Sequence, residues 1–169
     1  MNTNKVETIY EKQRKGGYEK VLQEIKENKE NRSEFENVIK EKIYYWWASW
    51  VPDYEGWLKI ADWLYAPECI IDAIGDAPQI YKDYRAAMKH QRDTFAMDMG
   101  PIDNCVVEGD TLAISYNMYL TAKVDIGSLK KDTTYKIKVT EFNKFAYVNK
   151  TDKEPMVVHL LLTATTPGC

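Results

Sequence analysis

Residues 34–75, EFENVIKEKIYYWWASWVPDYEGWLKIADWLYAPECIIDAIG, decide the fold. Phe35, Val38, Ile39, Ile43, Trp46, Trp47 and Trp50 recur at helical spacing, which predicts a helix over about 34–50. Ser33 with Glu36 three residues on is a capping-box pattern, so the helix begins there, and Pro52 ends it. Trp57, Ile60, Ala61 and Leu64 mark one side of a second helix over about 54–65. The short β-branched run Cys69–Ile74 reads as a strand, and Gly75-Asp76-Ala77-Pro78 as the turn after it.

Working outward, Ile80, Tyr81, Tyr84, Met88, Gln91 and Phe95 predict a third helix over about 79–96. After Gly100-Pro101 the period changes to two. Residues 104–107 and 111–123 read as a hairpin turning at Glu108-Gly109-Asp110. In 133–148, TTYKIKVTEFNKFAYV, one face carries Tyr135, Ile137, Val139 and Glu141, and the other Lys136, Lys138 and Thr140. Residues 156–164 form the last strand. Helices followed by a run of strands predict an α+β domain with its helices on one side of a curved, mostly antiparallel sheet. Residues 1–32 are polar and rich in Lys and Glu, with Val21, Leu22 and Ile25 as a thin apolar stripe. They are expected to form a helical arm, interrupted at Gly16-Gly17, ahead of a domain spanning 33–169.

Composition narrows the function. The chain has 169 residues and a formal net charge of -3, without the basic face of a nucleic-acid binder. No stretch approaches the roughly 18 apolar residues of a membrane span, and the N-terminus lacks the apolar segment of a signal peptide. The expected setting is the cytoplasm, with no nucleic-acid or membrane partner. Cys69, Cys105 and Cys169 are far apart and odd in number, which argues against a disulfide framework. Two histidines without clustered acids argue against a metal site. There is no P-loop, no dinucleotide glycine motif and no G-x-S-x-G, so no cofactor is expected. Five Trp and twelve Tyr fit a ligand cavity lined with rings.

The order of elements resembles the SnoaL-like, nuclear-transport-factor-2-like class. The opening stretch is similar to that class's helix–helix–strand start, GDTLAISYNMYL (109–120) to its hairpin strand, and VTEFNKF (139–145) with PMVVHLLLT (155–163) to its last two strands. The resemblance implies a cone with a central pocket, a small apolar organic ligand, and a homo-oligomer, dimer or trimer. At the pocket it comes closest to ketosteroid isomerase. Tyr45 stands eight residues before Asp53; Asp72-Ala73-Ile74-Gly75 follows Leu64-Tyr65-Ala66; Glu141 heads Glu-Phe-Asn-Lys-Phe. This implies Asp72 as general base, with Tyr45 and Glu141 as neutral donors to an enolate; the handling of a neutral buried acid in ketosteroid isomerase is itself a standard example. A second resemblance, to bile acid 7α-dehydratase, rests on Met97-Asp98-Met99-Gly100 and Asp53-Tyr54-Glu55-Gly56-Trp57, and implies Asp98 as an acid/base residue.

The candidate catalytic set is therefore Tyr45, Asp72, Asp98, Glu141 and His159, the last set in the apolar run Val157–Leu161 and able to act as a proton shuttle. The expected pocket wall is Trp46, Trp50, Asp53, Trp57, Tyr84, Met88 and Tyr116. Each has a plainer reading too. Tyr45 fits a helix-face aromatic, Asp72 a strand-end acid facing water, Asp98 a turn acid, Asp53 an N-cap, and His159 a satisfied core histidine. The functional expectation is a cofactor-independent isomerase or dehydratase working by proton transfer on an apolar cyclic substrate; the alternative is a non-catalytic binding or assembly module.

Overall fold

The computed structural model describes residues 7–73 and 76–165. Ile74 and Gly75, expected at the end of the first strand and in its turn, and Cys169 lie outside the described residues. Ser33 opens the first core helix as expected. Its side chain accepts from the Glu36 backbone N–H while the Glu36 carboxylate accepts from the Ser33 N–H, so two orphan donors are satisfied reciprocally. Ahead of it runs α1 (Ile9–Glu27). It is continuous through Gly16-Gly17, contrary to the expected break. The N-cap Thr8 and a left-handed Asn28 at the C-cap close its two ends, and packing on α2 and β3 supports its middle, which outweighs the roughly 1 kcal/mol cost of each glycine.

The helix α2 (Glu34–Ser49) is followed by α3 (Tyr54–Leu64), capped by Asp53, whose carboxylate accepts from Gly56 N–H at 2.7 Å. Then come β1 (Tyr65–Ala73), the short β2 (Gln79–Ile80), α4 (Tyr81–Thr94), β3 (Phe95–Glu108), β4 (Thr111–Ala122), β5 (Thr134–Ala146) and β6 (Met156–Ala164). Two strands are longer than expected. β1 begins at Tyr65 instead of Cys69, and β3 begins at Phe95, where a helix end and a turn were expected.

The sheet order is β2-β1-β6-β5-β4-β3. All pairs are antiparallel except β1 with β6. One face of this sheet and the apolar faces of α2, α3 and α4 enclose the core, which includes Ile39, Ile43, Trp47, Leu64, Ile114, Val139 and Leu160. On the opposite face α1 packs against β3, and its Tyr10 stacks on Tyr119 of β4 with centroids 4.4 Å apart. Among the described residues no helix is long and apolar enough to cross a membrane.

Candidate functional site

The site is best built from the sheet rows, because partners directly across a strand pair share a face. One row runs Ala73–Leu162–Glu141–Ile114 across β1, β6, β5 and β4. It faces the helices. The next row, Asp72–Leu161–Phe142–Ala113, faces the other way, and Phe142 in it is 44% exposed. Glu141 is thus placed at the centre of the inner face by the same alternation that seats Ile137 and Val139.

Between this face and the helices lies an apolar cavity of about 250 Å³. Trp46, Trp50, Trp57, Tyr84 and Met88 supply its helical wall. Met97, Met99, Tyr116, Met118, Val139 and Leu160 line the sheet side, with Asp76 also on the lining. Glu141 projects into it, 4% exposed. The Tyr116 phenol donates to Glu141 Oε1 at 2.6 Å, while Glu141 Oε2 has no partner among the described residues. Burial pushes the Glu141 carboxyl up to about 7, against the opposing pull of Tyr116 and Asn143. The Asn143 amide, fully buried on the same face, sits outside hydrogen-bonding geometry with any described group; we read its effect on Glu141 as proximity, not a formed bond.

Three phenols gather around this acid. Tyr65, Tyr84 and Tyr116 are all held above the usual phenol range, chiefly by burial and next by the negative charge of Glu141. They therefore stay protonated and act as donors. Trp46 Nε1 is also buried, without a partner among the described residues. A carboxyl that titrates near neutrality, in an apolar cavity ringed by neutral O–H and N–H donors, can accept and return a proton while the donors stabilise charge that develops on a substrate oxygen.

The structure brings six of the seven expected wall residues to the cavity: Trp46, Trp50, Trp57, Tyr84, Met88 and Tyr116. Asp53 is not among them; it is exposed and caps α3. Of the expected catalytic set only Glu141 lines the cavity. Tyr45 is 44% exposed on the flank of α2 and meets Tyr18 and Trp63 edge-on, beside an open surface groove. Asp72 belongs to the outer row described above. Asp98 lies outside because Met97 and Met99 point inward and the period is two. It accepts instead from Arg14, at 3.0 Å, and from its own neighbour Met99 N–H, at 2.9 Å. His159 is exposed, in a row with Ile70 and Lys144 on the outer face. The three-residue constellation of the ketosteroid isomerase resemblance and the Asp98–His159 pair therefore do not assemble around the cavity.

Sequence reasoning missed Tyr65, Met97, Met99 and Arg92 in the lining. Arg92 had a signal, since 84, 88 and 92 are successive turns of one helix face. Met97 and Met99 had one too, in the alternation with Asp98. Among the described residues there is no cluster of His, Cys, Asp or Glu able to hold a metal. Cys69 and Cys105 are free thiols, pushed up by burial to about 12 and about 11, which leaves them poor nucleophiles.

No protein-family model and no curated protein sequence matches the chain. Solved structures do. A candidate SnoaL-like polyketide cyclase from Jannaschia sp. aligns over 79% of this chain and 89% of its own at 13% identity, with a TM-score of 0.63. A ketosteroid isomerase-like protein from Erwinia carotovora atroseptica aligns over 80% and 100% at 13% identity, with a TM-score of 0.57. A candidate polyketide cyclase from Acidithiobacillus ferrooxidans aligns over 78% and 89% at 18% identity, with a TM-score of 0.55. These likenesses establish the architecture as the SnoaL-like cone and leave the reaction to be argued from the cavity.

Proposed function

We propose that this SnoaL-like cone binds a small apolar, ring-containing molecule and moves a proton on it without a cofactor, with Glu141 as the acid/base. The observation that carries the reading is a buried carboxyl, bonded to one phenol and titrating at about 7, that faces an apolar cavity. In its ionised form Glu141 takes a proton from carbon next to a carbonyl. The electron pair moves onto the carbonyl oxygen, which the neutral donors Trp46, Tyr65 or Tyr84 stabilise, and Glu141 then returns the proton to a second carbon. That sequence is a double-bond isomerisation. Dehydration uses the same removal, followed by loss of a β-hydroxyl that takes up a proton and leaves as water. The solved relatives named as ketosteroid isomerase-like and as candidate polyketide cyclases are consistent with ring-shaped ligands. Turnover of a panel of cyclic enones and β-hydroxy ketones by wild type and Glu141→Gln is the test. A Glu141→Gln protein as active as wild type removes Glu141 from the reaction.

A second reading, a binding module without turnover, is favoured by one observation: Tyr45, Asp72, Asp98 and His159 all lie outside the cavity. Mass spectrometry of any molecule that copurifies, with no conversion of it on incubation, supports this second reading. For assembly, the expected homo-oligomer fits the outer sheet face, where Ile70 and Phe142 stand 46% and 44% exposed; sedimentation of Phe142→Lys against wild type tests it.

A further inference from the structure

Arg92 is a charged side chain, 7% exposed, on the cavity wall. Its Nε donates to the Pro52 carbonyl at 3.1 Å and its Nη1 to the Met88 carbonyl at 3.2 Å. Its guanidinium lies over the Trp57 ring, 4.6 Å from the centroid. Among the described residues no carboxylate comes within ion-pair distance of it; every other cation buried to this degree, Arg14, Lys40 and Lys42, has one. Asp53 acts on it only from beyond ion-pair distance; burying a cation without a contacting anion is costly, and three contacts with carbonyls and a ring fix the orientation of the group without pairing its charge. The two carbonyl bonds use Nε and Nη1, which leaves donors on Nη2.

Among the described residues that line the cavity Arg92 is the cation, and Glu141 and Asp76 are the carboxylates. Tyr84 lies within electrostatic reach of both Glu141 and Arg92, and Arg92 also within reach of Tyr54 and the Asp53 carboxylate. Tyr84 and Arg92 stand about two turns apart on one face of α4, on the helical wall, and Glu141 stands on β5, on the sheet wall. A ligand that satisfies both Arg92 and Glu141 has one ionised end and one neutral, reacting end. Its anionic group cannot sit beside Glu141, where two carboxylates would repel.

We propose that the natural ligand of this cavity carries a carboxylate, or an equivalent planar oxyanion, bound by Arg92, with its ring extending toward Glu141. The assignment rests on the pocket reading above and narrows its substrate class to ring compounds bearing an acid group. The planar guanidinium matches such a group in shape as well as charge.

The test compares two probes of nearly equal size, 2-naphthoate and methyl 2-naphthyl ketone, by quenching of the tryptophans that line the cavity. Measured at pH 6, the naphthoate is ionised and Glu141 is largely neutral, so repulsion from Glu141 is minimised. Wild type is expected to bind the naphthoate about tenfold more tightly than the ketone, a charge-assisted bond's worth. Arg92→Met is expected to erase that preference while keeping its affinity for the ketone. Equal binding of the two probes by wild type, or an unchanged preference in Arg92→Met, overturns the assignment. If Arg92→Met does not fold, Arg92→Gln decides: its amide still donates to a backbone carbonyl but carries no charge, so the preference must fall several-fold, and an undiminished preference overturns the assignment. The two readings fail separately. Ketone binding without anion preference, with turnover still lost in Glu141→Gln, removes Arg92's role and leaves the acid/base reading intact. Failure of both probes to bind removes the pocket reading and the anion site with it.

Discussion

The phenol of Tyr116 donates to Glu141 Oε1 across 2.6 Å, and both side chains are buried. Two opposed effects meet at this contact. Loss of water disfavours the carboxylate, and the phenolic bond favours it. The balance leaves the acid near neutrality instead of far above it. Tyr116→Phe removes only the second effect. The Glu141 carboxyl is then expected to rise by about one further unit, and the acid limb of any pH–rate profile to move to higher pH by the same amount, because the ionised form is the base. An unmoved limb shows that Tyr116 does not set the acid's ionisation.

Glu141 also ties stability to pH. Its folded value of about 7 lies above the ordinary 4.5, so between those values the folded chain holds a proton that the unfolded chain releases. The stabilisation is fully present below pH 4.5 and is lost as pH rises through about 7, at a rate of about 1.4 kcal/mol per unit at most. Glu141→Gln keeps the shape and removes the titration. It is expected to match wild type near pH 4 and to exceed it at pH 8 by on the order of 2–3 kcal/mol, read from urea unfolding at the two pH values. A constant difference across that range contradicts the burial argument.

Arg14 carries the attachment of α1. Its side chain is 2% exposed, bonds Trp47 O at 3.1 Å and the Met99 carbonyl, and pairs with Asp98 at 3.0 Å. It thereby links α1 to the end of α2 and to β3. Arg14→Met leaves two buried carbonyls short of a donor and Asp98 without its cation. A loss of about 2–3 kcal/mol is expected, with hydrogen-exchange protection falling first in 9–27. Protection lost equally everywhere shows instead that α1 is inseparable from the core.

Asp53 distinguishes a cap from a catalyst. Asp53→Ala removes the acceptor for Gly56 N–H and is expected to cost about 1 kcal/mol with no change in turnover. Asp53→Asn, which retains a capping oxygen, is expected to restore most of that stability. A Gly56→Ala change strains the same turn from the other side, since a Cβ there meets Val51 Cγ2 at 2.5 Å.

The fold was legible because patterns agreed at each level: the Ser33–Glu36 box, the tryptophan stripe, and the alternation in 133–148 all lie where they were read. The cavity wall followed for the same reason, since residues on an apolar helix face must meet something apolar. The acids were less legible. Sequence spacing placed Asp72 and Asp98 beside the right neighbours, but a strand reverses its facing at every step, and an error in where a strand starts reverses the assignment. β3 was started too late, so the inward Met97 and Met99 did not fix Asp98 as outward. The burial of Glu141 was legible because its strand is long and cleanly alternating. Arg92 was passed over because a cation is not expected on a buried face until its carbonyl and ring partners are visible in space.

The single parallel pairing in the sheet, β1 with β6, has a consequence for how the chain is made. Tyr65 and Ile71 find their neighbours in Val157 and Leu160, near the far end of the sequence. A nascent chain emerging from a ribosome presents β1 with one edge bare until the closing strand is synthesised, and such long-range closure is slow. The part of the cavity wall that β6 supplies, Leu160 and Leu162, is therefore added after every other strand of the sheet. Until that strand pairs, the cavity is a trough that lacks one side.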